Sequence, residues 1–174
     1  MKIKKVAVLG AGAVGSYVIW GLSQREDIEL GVIATGERAE RLKKKGCVIN
    51  EITYHPYVWT PEEAHDVDLL VVSLKYGALE GALDDIHTIV GEHTTVMNGV
   101  NSEERIAEKI DKSHILYALI KVASHKEGDG YCFNPETTIG IIFGELEMPY
   151  ESERVGAVKE LFSETGIHFR STEY

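Results

Sequence analysis

The stretch Val6-Ala7-Val8-Leu9-Gly10-Ala11-Gly12-Ala13-Val14-Gly15 decides how the rest of this chain is read. Its first half is a continuous apolar run behind a group of lysines, which reads as a strand buried on both faces of a parallel sheet. Its second half spaces glycines as GxGxxG. Val14, Val18 and Leu22 then recur at i, i+4 and i+8, one apolar face of a helix. The glycine pattern alone is weak, but between a buried strand and an amphipathic helix it signals a dinucleotide-binding turn. Gly10 permits the tight turn, Gly12 lets the backbone approach a pyrophosphate, and Gly15 lets the helix lie close to the strand. Ala11, Ala13 and Val14 complete the turn. The helix N-terminus offers unpaired N–H groups and a positive dipole end to the phosphates.

The pattern outward from this turn alternates. Glu29 to Ala34 is a second strand, and Glu37 to Lys45 a helix with i, i+4 charge pairs and Gly46 as its stop. Residues 47–59 predict a strand pair or ribbon, with Tyr54, Tyr57 and Trp59 covering core. Thr60-Pro61-Glu62-Glu63 is a capping box that starts a helical turn. Val67 to Leu74, Thr94 to Met97 and Ile115 to Leu119 read as strands, with helices over Leu79 to Val90 and Asn101 to Ile110. Such alternation means an α/β fold: a Rossmann-like, doubly wound, mainly parallel sheet with helices on both faces. Beyond residue 120, the runs 121–127, 131–134 and 138–143 predict a short β-meander at the sheet edge. A helix over Ser152 to Glu164 and a short strand at Ile167 to Phe169 close the chain. The expected organisation is one domain over 1–174, with its core in 1–120 and edge strands and helix in 121–174.

A formal net charge of −10 argues against a nucleic-acid or anionic-membrane partner, since either calls for a basic patch. No apolar run approaches the ~18 residues of a membrane span, so no membrane partner and a cytoplasmic location are expected. Cys47 and Cys132 are far apart with no CxxC, and read as small buried hydrophobes. None of the seven histidines stands at metal-ligand spacing with another ligand, so no metal is expected. Lys121 and His125 stay unassigned.

The end of the second strand chooses between nicotinamide cofactors. A carboxylate about 20 residues beyond the glycines would bond the ribose 2′-hydroxyl of NAD. Here the place holds Ile33-Ala34-Thr35-Gly36. Thr35 offers a hydroxyl to a 2′-phosphate and Arg38 a guanidinium, so NADP(H) is the expected cofactor, with Glu37 as the residue that would serve NAD instead. Lys75 and Asn98-Gly99 follow successive strands at the carboxyl ends, where open α/β sheets bind ligands.

These landmarks together resemble the ketopantoate reductase (2-dehydropantoate 2-reductase) family. The matching residues are Val6 to Leu9 with the glycine motif, Gly36-Glu37-Arg38 with Gly46, Ser73-Leu74-Lys75, Asn98-Gly99, and Thr137 to Glu145. The resemblance implies NADPH-dependent reduction of the C2 ketone of ketopantoate to pantoate, on the way to pantothenate and coenzyme A. It implies that Gly10 to Gly15 hold the pyrophosphate and that Lys75 lines the nicotinamide end. It also implies that Asn98 lies near the nicotinamide ribose and the substrate, and that backbone near Ala123 approaches the nicotinamide. Two departures stand out. The family commonly has an arginine where this chain has Thr35. It also carries a second, helical domain with a lysine general acid and a substrate-binding glutamate, and this chain stops at Tyr174. That domain is therefore expected to be missing, the catalytic acid unassigned, and this half nearly inactive alone. An exposed apolar patch is expected near the C-terminal helix, which leaves room for a homodimer. The rival readings are a reductase of another 2-keto acid and a nucleotide-sensing module without turnover.

Overall fold

The computed structural model describes residues 1–74, 76–99, 103–145 and 152–172. Its main sheet has eight strands. Six of them run parallel in the order β5 (Tyr57–Trp59), β2 (Glu29–Ile33), β1 (Lys5–Leu9), β6 (Leu69–Val72), β7 (Thr95–Asn98) and β8 (Ile115–Lys121). This is the doubly wound order: the chain adds β2 and β5 on one side of β1, then β6, β7 and β8 on the other. β11 (Gly140–Gly144) joins β8 antiparallel, and β12 (Phe169–Ser171) joins β11 parallel. Val6, Ala7, Val8, Leu69, Leu70, Val71 and Val72 have no exposed surface, as expected of strands covered on both sides.

Among the described residues five α-helices join the strands: α1 (Ala13–Leu22), α2 (Gly36–Lys45), α3 (Tyr76–Ile89), α4 (Glu103–Ile106) and α5 (Glu153–Phe162). One face of the sheet packs on α3, where Leu79, Leu83, Ile86 and Ile89 are buried. The other packs on α1 and α5, through Tyr17, Val18, Leu22, Val158, Leu161 and Phe162. The Thr60 capping box forms in both directions: Thr60 N–H donates to Glu63 Oε1 (3.0 Å), and Glu63 N–H to Thr60 Oγ1 (3.2 Å). Residues 61–66 then pass through turns and form no helix.

Three expectations change. The pair β9 (Ser124–Glu127) and β10 (Gly130–Phe133) is antiparallel as read, but it does not extend the main sheet. Together with β3 (Cys47–Ile49) and β4 (Ile52–Tyr54) it makes a separate four-stranded sheet in the order β4-β3-β10-β9. That sheet covers the outer side of α1, where the Phe133 ring meets Tyr17 at 5.2 Å and Trp20 at 5.3 Å, both edge-on. This explains why α1 is buried well beyond the one apolar stripe read from sequence. Second, Tyr57 is exposed and stacks on Trp59, while the Trp59 ring lies where Gly31 has no side chain. Third, the expected apolar surface is not on α5 itself, whose apolar side packs on the core, but Leu119 on β8 and Ile139 just before β11 are exposed. The other exposed large apolar residues among those described are Met1, Ile52 and Tyr57. No helix among the described residues is long and apolar enough to cross a membrane.

Candidate functional site

β1 and β6 are neighbours, and their carboxyl ends meet at the point where strand order reverses. The glycine turn leaves β1 at Gly10, whose φ of +101° an L-residue rarely adopts. Ser73, just past β6, fastens the turn: its hydroxyl lies 2.5 Å from the Gly10 carbonyl oxygen and 3.2 Å from that of Leu9. A Cβ on Gly15 would run into the Gly10 carbonyl and come within 2.8 Å of Ser73 Oγ. Gly15 therefore serves the packing of α1 on the turn. Gly12 differs, because a Cβ there meets nothing within 4 Å. The protein leaves that space open. Ala11, Ala13 and Val14 are half-buried around it. α1 starts at Ala13 with no side-chain cap on its N-terminus and no acid in its first turn. Open space beside uncapped N–H groups at a positive dipole end fits a phosphate.

A cleft of about 270 Å³ adjoins the turn, lined among others by Leu9, Thr35, Arg38, Leu74, Gly81 and Asp85. Thr35 and Arg38 thus face one space, as read from sequence. Glu37 does not line it. It lies on an adjoining groove with Glu40, Lys43, Thr60 and Glu63, and Ala34 and Thr35 line both spaces. Asp85 was not anticipated. It comes from α3, where Ala78, Gly81, Ala82 and Asp85 fall at i, i+3, i+4 and i+7 and form the wall of the cleft. Three small residues followed by a carboxylate on one helical face were a readable signal once the phase of α3 was known. Burial pushes the Asp85 carboxyl above its ordinary range, and the charges of Glu62 and Asp84 add to this. Neither Arg38 nor Asp85 has a hydrogen bond or ion pair among the described residues.

Farther along the same edge, Asn98 ends β7 with no exposed surface, in register with Val72 on β6 and Tyr117 on β8. Gly99 N–H donates to the Val72 carbonyl (3.0 Å), and a Cβ there would press on Ile120 at 2.9 Å. Ala123 is exposed, between β8 and β9. Lys75 lies outside the described residues. The reading of the histidines needs a correction. β9 and β10 bring His125, Glu127 and Cys132 together, with one ligand atom from each within 4.8 Å of the others. Sequence spacing concealed this because Cys132 meets His125 across a strand ladder. Cys47 and Cys132 are both free thiols.

Fold and site define a class, the Rossmann-like α/β domains with a glycine turn at the point of strand reversal. Within it, this chain belongs to the family described as Ketopantoate reductase PanE/ApbA, whose sequence model matches residues 6–146. It is 28% identical over 178 residues to the 2-dehydropantoate 2-reductase of Pyrococcus horikoshii, covering 97% of this chain and 56% of that protein. A solved 2-dehydropantoate 2-reductase of Geobacter metallireducens superposes with a TM-score of 0.78 at 24% identity, over 97% of this chain and 57% of that one. A D-mandelate dehydrogenase solved with NADH and anilino(oxo)acetate superposes with a TM-score of 0.75 at 21% identity, over 97% of this chain and 56% of that one. The chain spans about half the length of the curated relatives it matches.

Proposed function

We propose that this chain is the cofactor-binding part of an NADPH-dependent 2-keto-acid reductase, with ketopantoate as substrate and pantoate as product. The observation that carries the proposal is the open space at Gly12, beside the uncapped start of α1 and next to the cleft that holds Thr35 and Arg38. In this reading Gly10 to Gly15 receive the pyrophosphate, with Gly12 supplying the close approach. Thr35 donates its hydroxyl to the 2′-phosphate, and the Arg38 guanidinium neutralises it. Lys75, Asn98 and the backbone at Ala123 are assigned to the nicotinamide end, Asn98 from a fully buried position at the end of β7. When bound, the reduced nicotinamide supplies the hydride. The chain's own work is positioning, which converts a bimolecular encounter into a held pair. The proton for the growing alkoxide comes from a group outside Gly10 to Ala123, so this stretch alone turns over slowly.

Fluorescence titration of the chain with NADPH and, separately, NADH tests the cofactor assignment. Tighter NADPH binding is expected. Equal or tighter NADH binding overturns it, and no binding of either overturns the pyrophosphate role of the glycine turn. The substrate is tested by reduction of ketopantoate against phenylglyoxylate by a protein of the relatives' full length that contains this sequence.

A second reading has one observation behind it. Asp85 puts a carboxylate on the cleft that would receive the 2′-phosphate, and a carboxylate there favours a ribose hydroxyl, hence NAD.

A further inference from the structure

The small sheet carries a group of side chains that the proposed reductase chemistry does not use. His125 and Glu127 are two residues apart on β9, so they share one face of the strand. Cys132 on β10 stands directly opposite His125 in the antiparallel register. Directly opposed residues on one face bring their Cβ atoms to about 4.5–5.5 Å, close enough for side chains to converge on one point. They do converge. Cys132 Sγ donates to Glu127 Oε2 at 3.2 Å, and His125 Nε2 lies 3.5 Å from the same oxygen.

Those separations have a meaning for a metal. A tetrahedral zinc with Zn–N and Zn–O of about 2.0–2.1 Å and Zn–S of about 2.3 Å sets its ligand atoms about 3.3–3.6 Å apart. Two of the three edges already match such a tetrahedron, and the third, between the His125 ring nitrogen and Cys132 Sγ, is within 4.8 Å. The donor set of thiolate, imidazole and carboxylate suits a borderline divalent ion such as Zn²⁺, and disfavours Mg²⁺ or Ca²⁺, which take oxygen. Glu51, in the β3–β4 turn, adds negative charge close enough to bear on the thiol. The hydrogen bond to Glu127 holds the Cys132 thiol above its ordinary range, with desolvation and the charges of Glu127 and Glu51 contributing. The side chains of His125 and Glu127 are 69% and 61% exposed, so an ion can enter from solvent and keep water at its fourth position.

We propose that His125, Glu127 and Cys132 form a surface zinc site that ties β9 to β10. On binding, the Cys132 S–H bond breaks, its proton passes to solvent, and the thiolate takes its place on the ion. β9 begins immediately after Ala123, so the ion would brace the strand that leaves the carboxyl edge of the main sheet.

The test uses the tag-free chain and Zn²⁺ alone, titrated against a chromophoric chelator, with Co²⁺ as a spectroscopic stand-in. The expected result is one ion per chain with micromolar affinity, and a thiolate-to-cobalt charge-transfer band. Cys132→Ser abolishes the band, and His125→Ala and Glu127→Gln each weaken binding by about tenfold or more. All three groups are at the surface, and circular dichroism checks that each variant folds. Affinity weaker than about 100 µM overturns the proposal, since three converging ligands of these types should do better. A cobalt band that survives Cys132→Ser, or Zn²⁺ affinity unchanged in all three variants, overturns it equally.

Discussion

The eight-stranded and four-stranded sheets sit on either side of α1 and are held by different means. β1 and β6 pair in register over Val6 to Leu9 and Leu69 to Val72, and each strand brings its own apolar side chains to both faces. β3 and β10 meet at a single pair, Ile49 and Tyr131, between segments some eighty positions apart in the chain. β4 and β9 have mostly exposed side chains. The small sheet therefore depends on what it covers. Phe133 is its main anchor, wedged against Tyr17 and Trp20, with Asn50 Oδ1 accepting from the Phe133 N–H (2.9 Å) to fix the β3–β4 turn against β10. A sheet with its own core tolerates change at its edges, whereas one that leans on a helix does not tolerate losing its anchor.

Phe133→Ala should show this most strongly. Phe133 is 8% exposed, and removing a ring of this kind from a core costs about 3–5 kcal/mol. Denaturant unfolding should show that loss, with hydrogen exchange rising first in 47–54 and 124–133. Uniform loss of protection across both sheets would mean that they are one cooperative unit, and the contrast would fail.

The next two predictions turn on glycines of the same turn. Gly15→Ala forces a Cβ into the Gly10 carbonyl, a backbone group that cannot swing aside, so a stability loss of about 1–3 kcal/mol is expected together with loss of NADPH binding. Gly12→Ala meets nothing in the protein, and its φ of −81° is one that alanine adopts, with a ψ of −152° just beyond the usual extended region. Its melting temperature should stay level or rise slightly, while NADPH binding weakens by about tenfold or more, because the methyl enters the space a pyrophosphate needs. A Gly12→Ala chain that binds NADPH normally would remove the observation on which the proposed function rests.

The two sheets also differ in how far the sequence disclosed them. The run from Val6 to Gly15 is local in the sense that strand, turn and helix start lie within one stretch. The doubly wound class followed from that run and the alternation after it, whereas the strand order came from the structure. The small sheet was legible only in parts, as a strand pair in 47–59 and β-runs in 121–134. Cys47 to Ile49 and Gly130 to Phe133 are too short for periodicity to join one pair to the other, and nothing local marks the aromatic contact of Phe133 with Tyr17 and Trp20. The same limit hid both unanticipated groups. Opposing Cys132 to His125 requires the register of a ladder, and seeing Asp85 on the cleft requires the phase of α3 relative to the glycine turn.

The cleft lets the cofactor assignment be sharpened. Arg38→Ala should weaken NADPH binding by about tenfold and leave NADH unchanged, as expected for loss of one charge-assisted contact to a phosphate. Equal losses for both cofactors would put Arg38 against the adenine or the pyrophosphate instead.

The smallest expected effect belongs to Asp85, and its sign follows from its place. Its carboxylate and the proposed 2′-phosphate would share one cleft, so like charges oppose each other across it. Asp85→Asn keeps the shape and removes the charge, and should tighten NADPH by about threefold, the size of a partly screened interaction near a protein surface. NADH should weaken slightly or stay level. Because burial raises the Asp85 carboxyl, it takes up its proton at a higher pH than an ordinary aspartate, and the repulsion fades as pH falls through that raised range. The same shift makes the charged form a cost to folding. Asp85→Asn should therefore stabilise the fold at neutral pH, with the gain shrinking as the medium becomes acid. The 2′-phosphate of the free cofactor titrates identically in both measurements, so the ratio of NADPH affinities between Asp85→Asn and wild type reports the carboxylate and its coupling to the bound phosphate. That ratio should be largest at neutral pH and approach unity in acid. A ratio that is flat with pH would place the carboxylate away from the 2′-phosphate. A ratio below one at neutral pH would mean that Asp85 accepts a hydrogen bond from the adenosine.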